Sequence, residues 1–328
     1  MKNSIPGSQI CIAFLLLAIS VWGGTSSKPL LKNVHFLPIW VPQPQFAGYY
    51  MAKEKGIYEK FGLDVNIING DHTKDTKEML VQDKADFTIL YLSSAIKYRA
   101  QGVNLVNVAQ IFQKSAIQFV SMKSSGIDSL NKFQGKKIAI WRTVFQETTE
   151  GFLKEYGIDN EIYRINGGIN LFLKGAIDVC AIMKYNEINT LYNQGIDYNE
   201  LNIFDLNSYR PELLEDGIYM MNERYKADSE LASAFVHASI EGWEYALKNF
   251  DETIIVMLRL QAKANVISNR VHTEWMLKSM RDMIYPEGKK TQIGHLEEDD
   301  FNAVVEFLAQ HSNVKNKVDY HDFYKGVR

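Results

Sequence analysis

The sequence predicts an α/β fold of two lobes with a cleft between them, on three observations. Strand-like and helix-like segments alternate along the chain, the pattern of sheets layered with helices. The alternation runs through one plan twice: strand, Trp, helix, strand, then an Asp-initiated strand and a helix closed by Gln-Gly. No low-complexity stretch or flexible linker separates the two runs, so the chain crosses between lobes more than once, at short hinges.

In the first run, "NVHFLPIW" is a strand ending at Trp40. A helix over about 46–55 follows, stopped by Gly56, because glycine tolerates the left-handed backbone that closes a helix. "LDVNII" and "ADFTILYL" are strands, and "SSAIKYRAQ" is a helix stopped by Gly102. In the second run, "GKKIAIW" is a strand ending at Trp141, and a helix over about 145–156 stops at Gly157. "EIYRI" and "IDVCAIM" are strands, and "NEINTLYNQ" is a helix stopped by Gly195. Identity between the runs is slight, so the repeat is one of order. From about Pro211 the pattern changes. "DGIYMMNERY" reads as a strand entering a turn, and four segments then place apolar residues at three- and four-residue spacing: "SELASAFVHASIEGWEYALKNF", "DETIIVMLRLQAKA", "TEWMLKSMRDMIY" and "EEDDFNAVVEFLAQH". These are amphipathic helices. The acidic run 297–300 opens the last of them, where it complements the helix dipole, and reads as capping rather than as a metal site.

The N-terminus carries a different message. Lys2 precedes an apolar run over 10–22, followed by "GGTSS". That is a cleaved export signal over residues 1–27, too short for a membrane span. Cys11 lies inside the run rather than just after it, so the lipid-attachment pattern is missing. A soluble exported protein follows, periplasmic in a Gram-negative source. Cleavage leaves Cys180 alone, without an intramolecular disulfide; in "IDVCAIM" it reads as a core residue rather than a nucleophile. Across 328 residues, 46% are apolar and 23% charged, and net charge is −3. The composition is that of a globular protein of two folding units, and the lack of a basic stripe argues against nucleic acid.

Catalytic patterns are sparse. There is no P-loop, no Rossmann glycine fingerprint, no Gly-x-Ser-x-Gly and no His-Glu-x-x-His. The seven histidines form no pair with ligand spacing, and His72 in "GDHTKD" reads as part of a polar surface loop. Ser93 and Ser94 lack a visible base and read as helix N-cap donors. No cofactor or metal is expected.

Binding residues are more plentiful. In open α/β sheets, ligands lie outside the carboxyl ends of the strands. Trp40 and Trp141 take that position, one per run, and 91–94 and 184–187 take the corresponding one after later strands. If the lobes face each other, these loops converge. The two tryptophans would sandwich a flat ring, worth about 1 kcal/mol each beyond burial. Gln43 and Gln45 offer amide donors and acceptors for ring nitrogens and amino groups, held by Pro42 and Pro44, with Phe46 beside them at the helix mouth. Ser93 and Ser94 after the third strand, which also offer hydroxyls to a ligand, and Tyr185, Asn186 and Glu187 complete the set. Glu187 either complements the dipole of its helix or accepts from an amino-substituted ring or a cation. Arg142 would meet a phosphate or carboxylate.

"WVPQPQFAGYYMAKEKGIYEKFGLDVNI", residues 40–67, closely resembles the N-terminal signature of a branch of type II periplasmic solute-binding proteins of ABC importers. That branch is related to thiamine-pyrimidine precursor binding proteins and to yeast-type thiamine-pyrimidine synthases. "KADFTILYLSSAI", "AQIFQKSAIQFVS", "GKKIAIW", "MKYNEINTLYNQGID" and "EDGIYMM" follow in the family's order, over residues 33–225. The resemblance implies two lobes joined by crossovers near 112–120 and 204–217. The first lobe would span 28–117 and resume over 213–328 with the C-terminal helices; the second would span 118–212. It also implies a monomeric capture protein that closes on a small nitrogen heterocycle, best a thiamine-type aminopyrimidine, and presents it to an inner-membrane ABC permease. Two alternatives are a pyrimidine synthase and a sensor docking on a membrane receptor kinase. Synthases of the family carry a reactive histidine in the helix after the "ADF"-type strand, where this chain has Ser94, and a cysteine-rich iron-binding motif that this chain lacks. Both departures count against the enzyme.

Overall fold

Pro38 cannot donate to a sheet ladder, and the first strand ends before it. In the computed structural model, β1 covers Lys32–Leu37, so Trp40 lies in the loop beyond rather than at the strand's last residue. The structure describes residues 30–71, 73–142, 146–166, 168–289, 292–312, 314 and 316–326, together with Met1. The expected export signal over 1–27 lies outside them apart from Met1, as do His72 and Phe145.

Among the described residues, ten strands make two five-stranded sheets. With β2 at Leu63–Ile67, β3 at Phe87–Tyr91, β4 at Leu105–Gln110 and β10 at Asp216–Met221, the first sheet runs β2-β1-β3-β10-β4. With β5 at Ile117–Met122, β6 at Ile138–Trp141, β7 at Ile162–Ile165, β8 at Val179–Met183 and β9 at Leu201–Asp205, the second runs β7-β6-β8-β5-β9. The plan is the same in both. Three parallel strands come first, Phe36 lying opposite Ile67 and Phe87 in one sheet, and Ile138 opposite Ile162 and Val179 in the other. An antiparallel strand, β10 or β5, follows and pairs on both sides. The repeat read from the order of segments is therefore a repeat of topology. In each lobe the antiparallel strand is the one that the chain enters directly from the other sheet, through residues 111–116 or 206–215.

The apolar runs in β3 and β8 are buried at every residue, as strands covered by helices on both faces should be. Cys180 lies in β8, and burial pushes its thiol up to about 12, which leaves it unreactive. The first expected helix is two pieces: a 3-10 turn at Pro44–Phe46 and an α-helix at Ala47–Glu54. The segment after β10 is a helix, Asn222–Ala227, rather than a turn. The C-terminal helices Ser229–Lys248, Phe250–Lys263, Arg270–Ile284 and Glu298–His311 all form. Glu297 takes the N-cap of the last without a side-chain cap bond, so the acidic run acts through Glu298, Asp299 and Asp300 in the first turn. Ser229–Lys248 packs against the first lobe: Phe235 stacks on Phe87 with ring centroids 4.1 Å apart and on Tyr58 at 5.4 Å. The Glu298–His311 helix also packs on Gln146–Glu155 of the second. No helix among the described residues is long and apolar enough to cross a membrane.

Candidate functional site

Between the two sheets, at the carboxyl ends of their parallel strands, lies a cavity of about 350 Å³. That is the size range of small-molecule sites, and both sheets contribute to it. The first lobe supplies Trp40, Gln43 and Gln45 from the loop after β1 and Tyr91 from the end of β3; the second supplies Trp141 from the end of β6, Arg142 just after it, and Tyr185, Asn186 and Glu187 after β8.

Pro44 opens the 3-10 turn with Gln43 at its N-cap, and Gln43 and Gln45 are almost fully buried at the cavity wall. Gln43 Nε2 donates to Gln45 Oε1 at 2.6 Å, and Gln45 Nε2 donates to Asp216 Oδ2 at 2.9 Å. The amides are thus ordered from behind by the first residue of β10. Trp40 and Trp141 meet each other, with centroids 6.0 Å apart and planes at 75°. This edge-to-face corner corrects the expected parallel sandwich, because no ring fits between them. Trp141 is further fixed by its Nε1–H, which donates to the Ala181 carbonyl at 3.2 Å. A flat ring can stack only on the outer face of one of the pair.

Glu187 is 4% exposed. Its Oε2 accepts from Met183 N–H at 2.8 Å and its Oε1 from Asn186 Nδ2 at 2.7 Å. Burial pushes its carboxyl up to about 7, opposed by the bond from Met183. The side chain folds back over its own helix start, and each oxygen keeps a lone pair for a further donor. Burial also raises the phenols of Tyr91 and Tyr185, as do the carboxylates of Glu215 and Asp216 nearby.

Three of the predicted residues do not line the cavity. Phe46 is fully buried in the apolar core beneath the turn. Ser93 and Ser94 sit inside the first turn of Leu92–Ala100, whose N-cap position is Tyr91, so the capping reading is corrected. Ser93 Oγ meets Thr148 Oγ1 at 2.7 Å, and Ser94 Oγ donates to Glu147 Oε2 at 3.2 Å. Both serines bind across to the second lobe, and Glu147, which also pairs with Lys97, reaches the cavity.

Sequence reasoning missed the charged segment that closes one side, Asp71, Thr73, Lys74 and Asp75, having read it as surface. Gly70 was the available signal. A Cβ there would stand 2.3 Å from the Pro38 carbonyl oxygen and 2.6 Å from that of Trp40, so only glycine lets this segment lie against the Trp40 loop. The lining carries Asp71, Asp75, Glu147 and Glu187 against Lys74 and Arg142. The balance favours a ligand rich in N–H donors. Among the described residues, no group of three His, Cys, Asp or Glu side chains could hold a metal ion.

The NMT1/THI5-like family model matches residues 43–253. The chain is similar to the formylaminopyrimidine-binding protein of Halalkalibacterium halodurans, 22% identical over 327 residues and 97% of each chain. Over a shorter stretch it is similar to the 4-amino-5-hydroxymethyl-2-methylpyrimidine phosphate synthase THI13 of Saccharomyces cerevisiae, 25% identical over 151 residues and 44% of each chain. Its fold is similar to that of the alkanesulfonate-binding protein SsuA of Xanthomonas axonopodis pv. citri bound to MOPS, with a TM-score of 0.69 and 12% identity over 92% of this chain and 100% of that one.

Proposed function

Because this chain belongs to the NMT1/THI5-like family, we propose that it is the substrate-capture protein of an ABC importer and binds an aminopyrimidine of the thiamine type. The observation that carries this reading is the cavity between the lobes, walled by the two tryptophans and by acceptors that converge from both sheets. In the proposed complex the ring stacks on the Trp40–Trp141 corner and its amino hydrogens reach Glu187. Gln43 and Gln45 meet ring nitrogens from the opposite wall. Tyr185 and Asn186 shape the floor beside Glu187, and the Ser93 and Ser94 contacts belong to lobe closure. The lobes, 28–117 with 213–328 and 118–212, close by hinge motion at the two links. The closed monomer then meets an inner-membrane permease from the periplasm, after removal of residues 1–27.

The partial similarity to the yeast synthase supports a second reading, an enzyme of pyrimidine synthesis. It would require turnover, and the Ser94 hydroxyl, bonded to Glu147, is a poor replacement for an imidazole.

A thermal-shift series on residues 28–328 with aminopyrimidines, thiamine, flavins, sulfonates and nitrate tests the reading. Ligand at a hundred times its dissociation constant adds about 2.7 kcal/mol of stability. An aminopyrimidine should produce this shift, and Trp141→Ala and Glu187→Ala should each abolish it. A shift with only a flavin or an anion overturns the ligand, and product formation would move the chain to the second reading.

A further inference from the structure

The Arg270–Ile284 helix packs on the Phe250–Lys263 helix and the Pro44–Phe46 turn of the first lobe, and also reaches the Glu187–Asn193 helix of the second. At that contact His272 Nε2 lies 2.9 Å from Asn186 Oδ1, and Nδ1 lies 2.8 Å from Asn189 Oδ1. Asn186 Nδ2 in turn donates to Glu187 Oε1 at 2.7 Å.

The chemistry of this chain has one direction. Met183 N–H donates to one Glu187 oxygen and Asn186 Nδ2 to the other, which leaves the Asn186 oxygen toward His272. That oxygen only accepts, so His272 must carry a hydrogen on Nε2. Burial lowers the imidazole's pKa; a neutral ring has a single N–H, so the Nε2–H tautomer meets this need with the Asn189 amide turned to offer its NH₂ to Nδ1. Ring, amide and carboxylate therefore orient one another in sequence. The ring stands on a helix of one lobe, and the amide and carboxylate stand on the other.

We propose that His272 is a positioning residue for Glu187: lobe closure brings the imidazole onto Asn186, and Asn186 then aims the Glu187 carboxylate at the amino hydrogens of the ligand. This rests on the reading of Glu187 as a ligand acceptor. It makes the carboxylate's orientation depend on closure, so the full affinity exists only in the closed form. The helix does not need His272 to stay on the second lobe. Trp275 Nε1 donates to the Lys184 carbonyl at 3.3 Å, and its ring meets Tyr192 edge to face with centroids 5.8 Å apart.

The test is a double-mutant cycle by titration calorimetry, with 4-amino-5-hydroxymethyl-2-methylpyrimidine as probe. His272→Ala should weaken binding about tenfold when Glu187 is present and less than about twofold in the Glu187→Gln background. His272→Gln, which keeps an N–H donor, should recover most of the affinity and serves as the check on folding. Equal losses in the two backgrounds would make His272 an ordinary packing contact and overturn the inference alone. A wild-type protein with no affinity for the probe would overturn the proposed function, and this inference with it.

Discussion

Glu215 and Asp216 are neighbours in sequence, each 1% exposed, and neither forms an ion pair among the described residues. Glu215 Oε1 accepts from Ser115 Oγ at 2.8 Å and from Ala116 N–H at 2.6 Å, and Asp216 Oδ2 accepts from Gln45 Nε2 at 2.9 Å. Two hydrogen bonds do not offset the loss of water around a buried charge. Burial pushes the Glu215 carboxyl from its ordinary 4.5 to about 7, and burial beside Glu215 raises Asp216 as well. The sign follows from proton counts. The folded protein holds the Glu215 proton where the unfolded chain has already lost it, so stability is fully present below about pH 4.5 and falls as pH rises to about 7. The shift corresponds to about 3 kcal/mol for this group. Glu215→Gln keeps both hydrogen bonds, because the amide oxygen accepts them. It should flatten the decline in denaturant-derived stability between pH 5 and 8 by that amount, and an unchanged slope would show that Glu215 is ionised in the folded state throughout.

At the scale of elements, one helix crossing carries the first lobe. Ala47–Glu54 and Ser229–Lys248 approach through two glycines. A Cβ on Gly48 would lie 2.3 Å from the Trp243 ring, and one on Gly242 would lie 2.3 Å from the Gly48 carbonyl oxygen. Trp243 is fully buried and cannot retreat. Gly48→Ala or Gly242→Ala should each cost about 1–3 kcal/mol by overpacking, read as a lower melting temperature, despite the higher helix propensity of alanine. The double variant should cost less than the sum of the two, since either one separates the same pair of backbones; full additivity would place the strain elsewhere. The contrast between elements also explains what the sequence displayed. β3 and β8 were legible because every residue of "FTILY" and "VCAIM" is buried and both runs are nearly apolar. β4 and β5 were not, because their polar side chains point into the interior and pair there: Asn107 Nδ2 donates to Gln110 Oε1 at 3.2 Å, and Ser121 Oγ to the Ile127 carbonyl at 2.7 Å. Buried amides read as surface until their partners are known. The same held for the site. Trp40, Trp141 and Glu187 showed through their matched places at strand ends, whereas Asp216 and His272 act across 171 and 86 residues of sequence, a distance that local pattern does not span.

For the molecule as a whole, the decisive property is that the lobes touch on both sides of the cavity. One side is held by Ser93 against Thr148 and Ser94 against Glu147, and the other by His272 and Trp275 against the second lobe. In the proposed capture mechanism, exchange of ligand opens the hinges at 111–116 and 206–215. The Ser93–Thr148 contact offers a direct test. With the hydroxyl oxygens 2.7 Å apart, Ser93→Cys with Thr148→Cys places two sulfurs within reach of the separation a disulfide needs. Cys180 will not compete, since it is buried and its thiol is pushed up to about 12. The oxidised double variant should be locked shut, with the association rate of the ligand reduced at least about a hundredfold. Reduction should restore it to within about twofold of the unlinked protein, as expected when opening gates binding. Oxidation in the presence of ligand should instead trap it, with dissociation slowed by a similar factor. Unchanged association after complete cross-linking would mean that the ligand enters without hinge motion, and the closure on which both the capture mechanism and the His272 relay depend would then be ruled out.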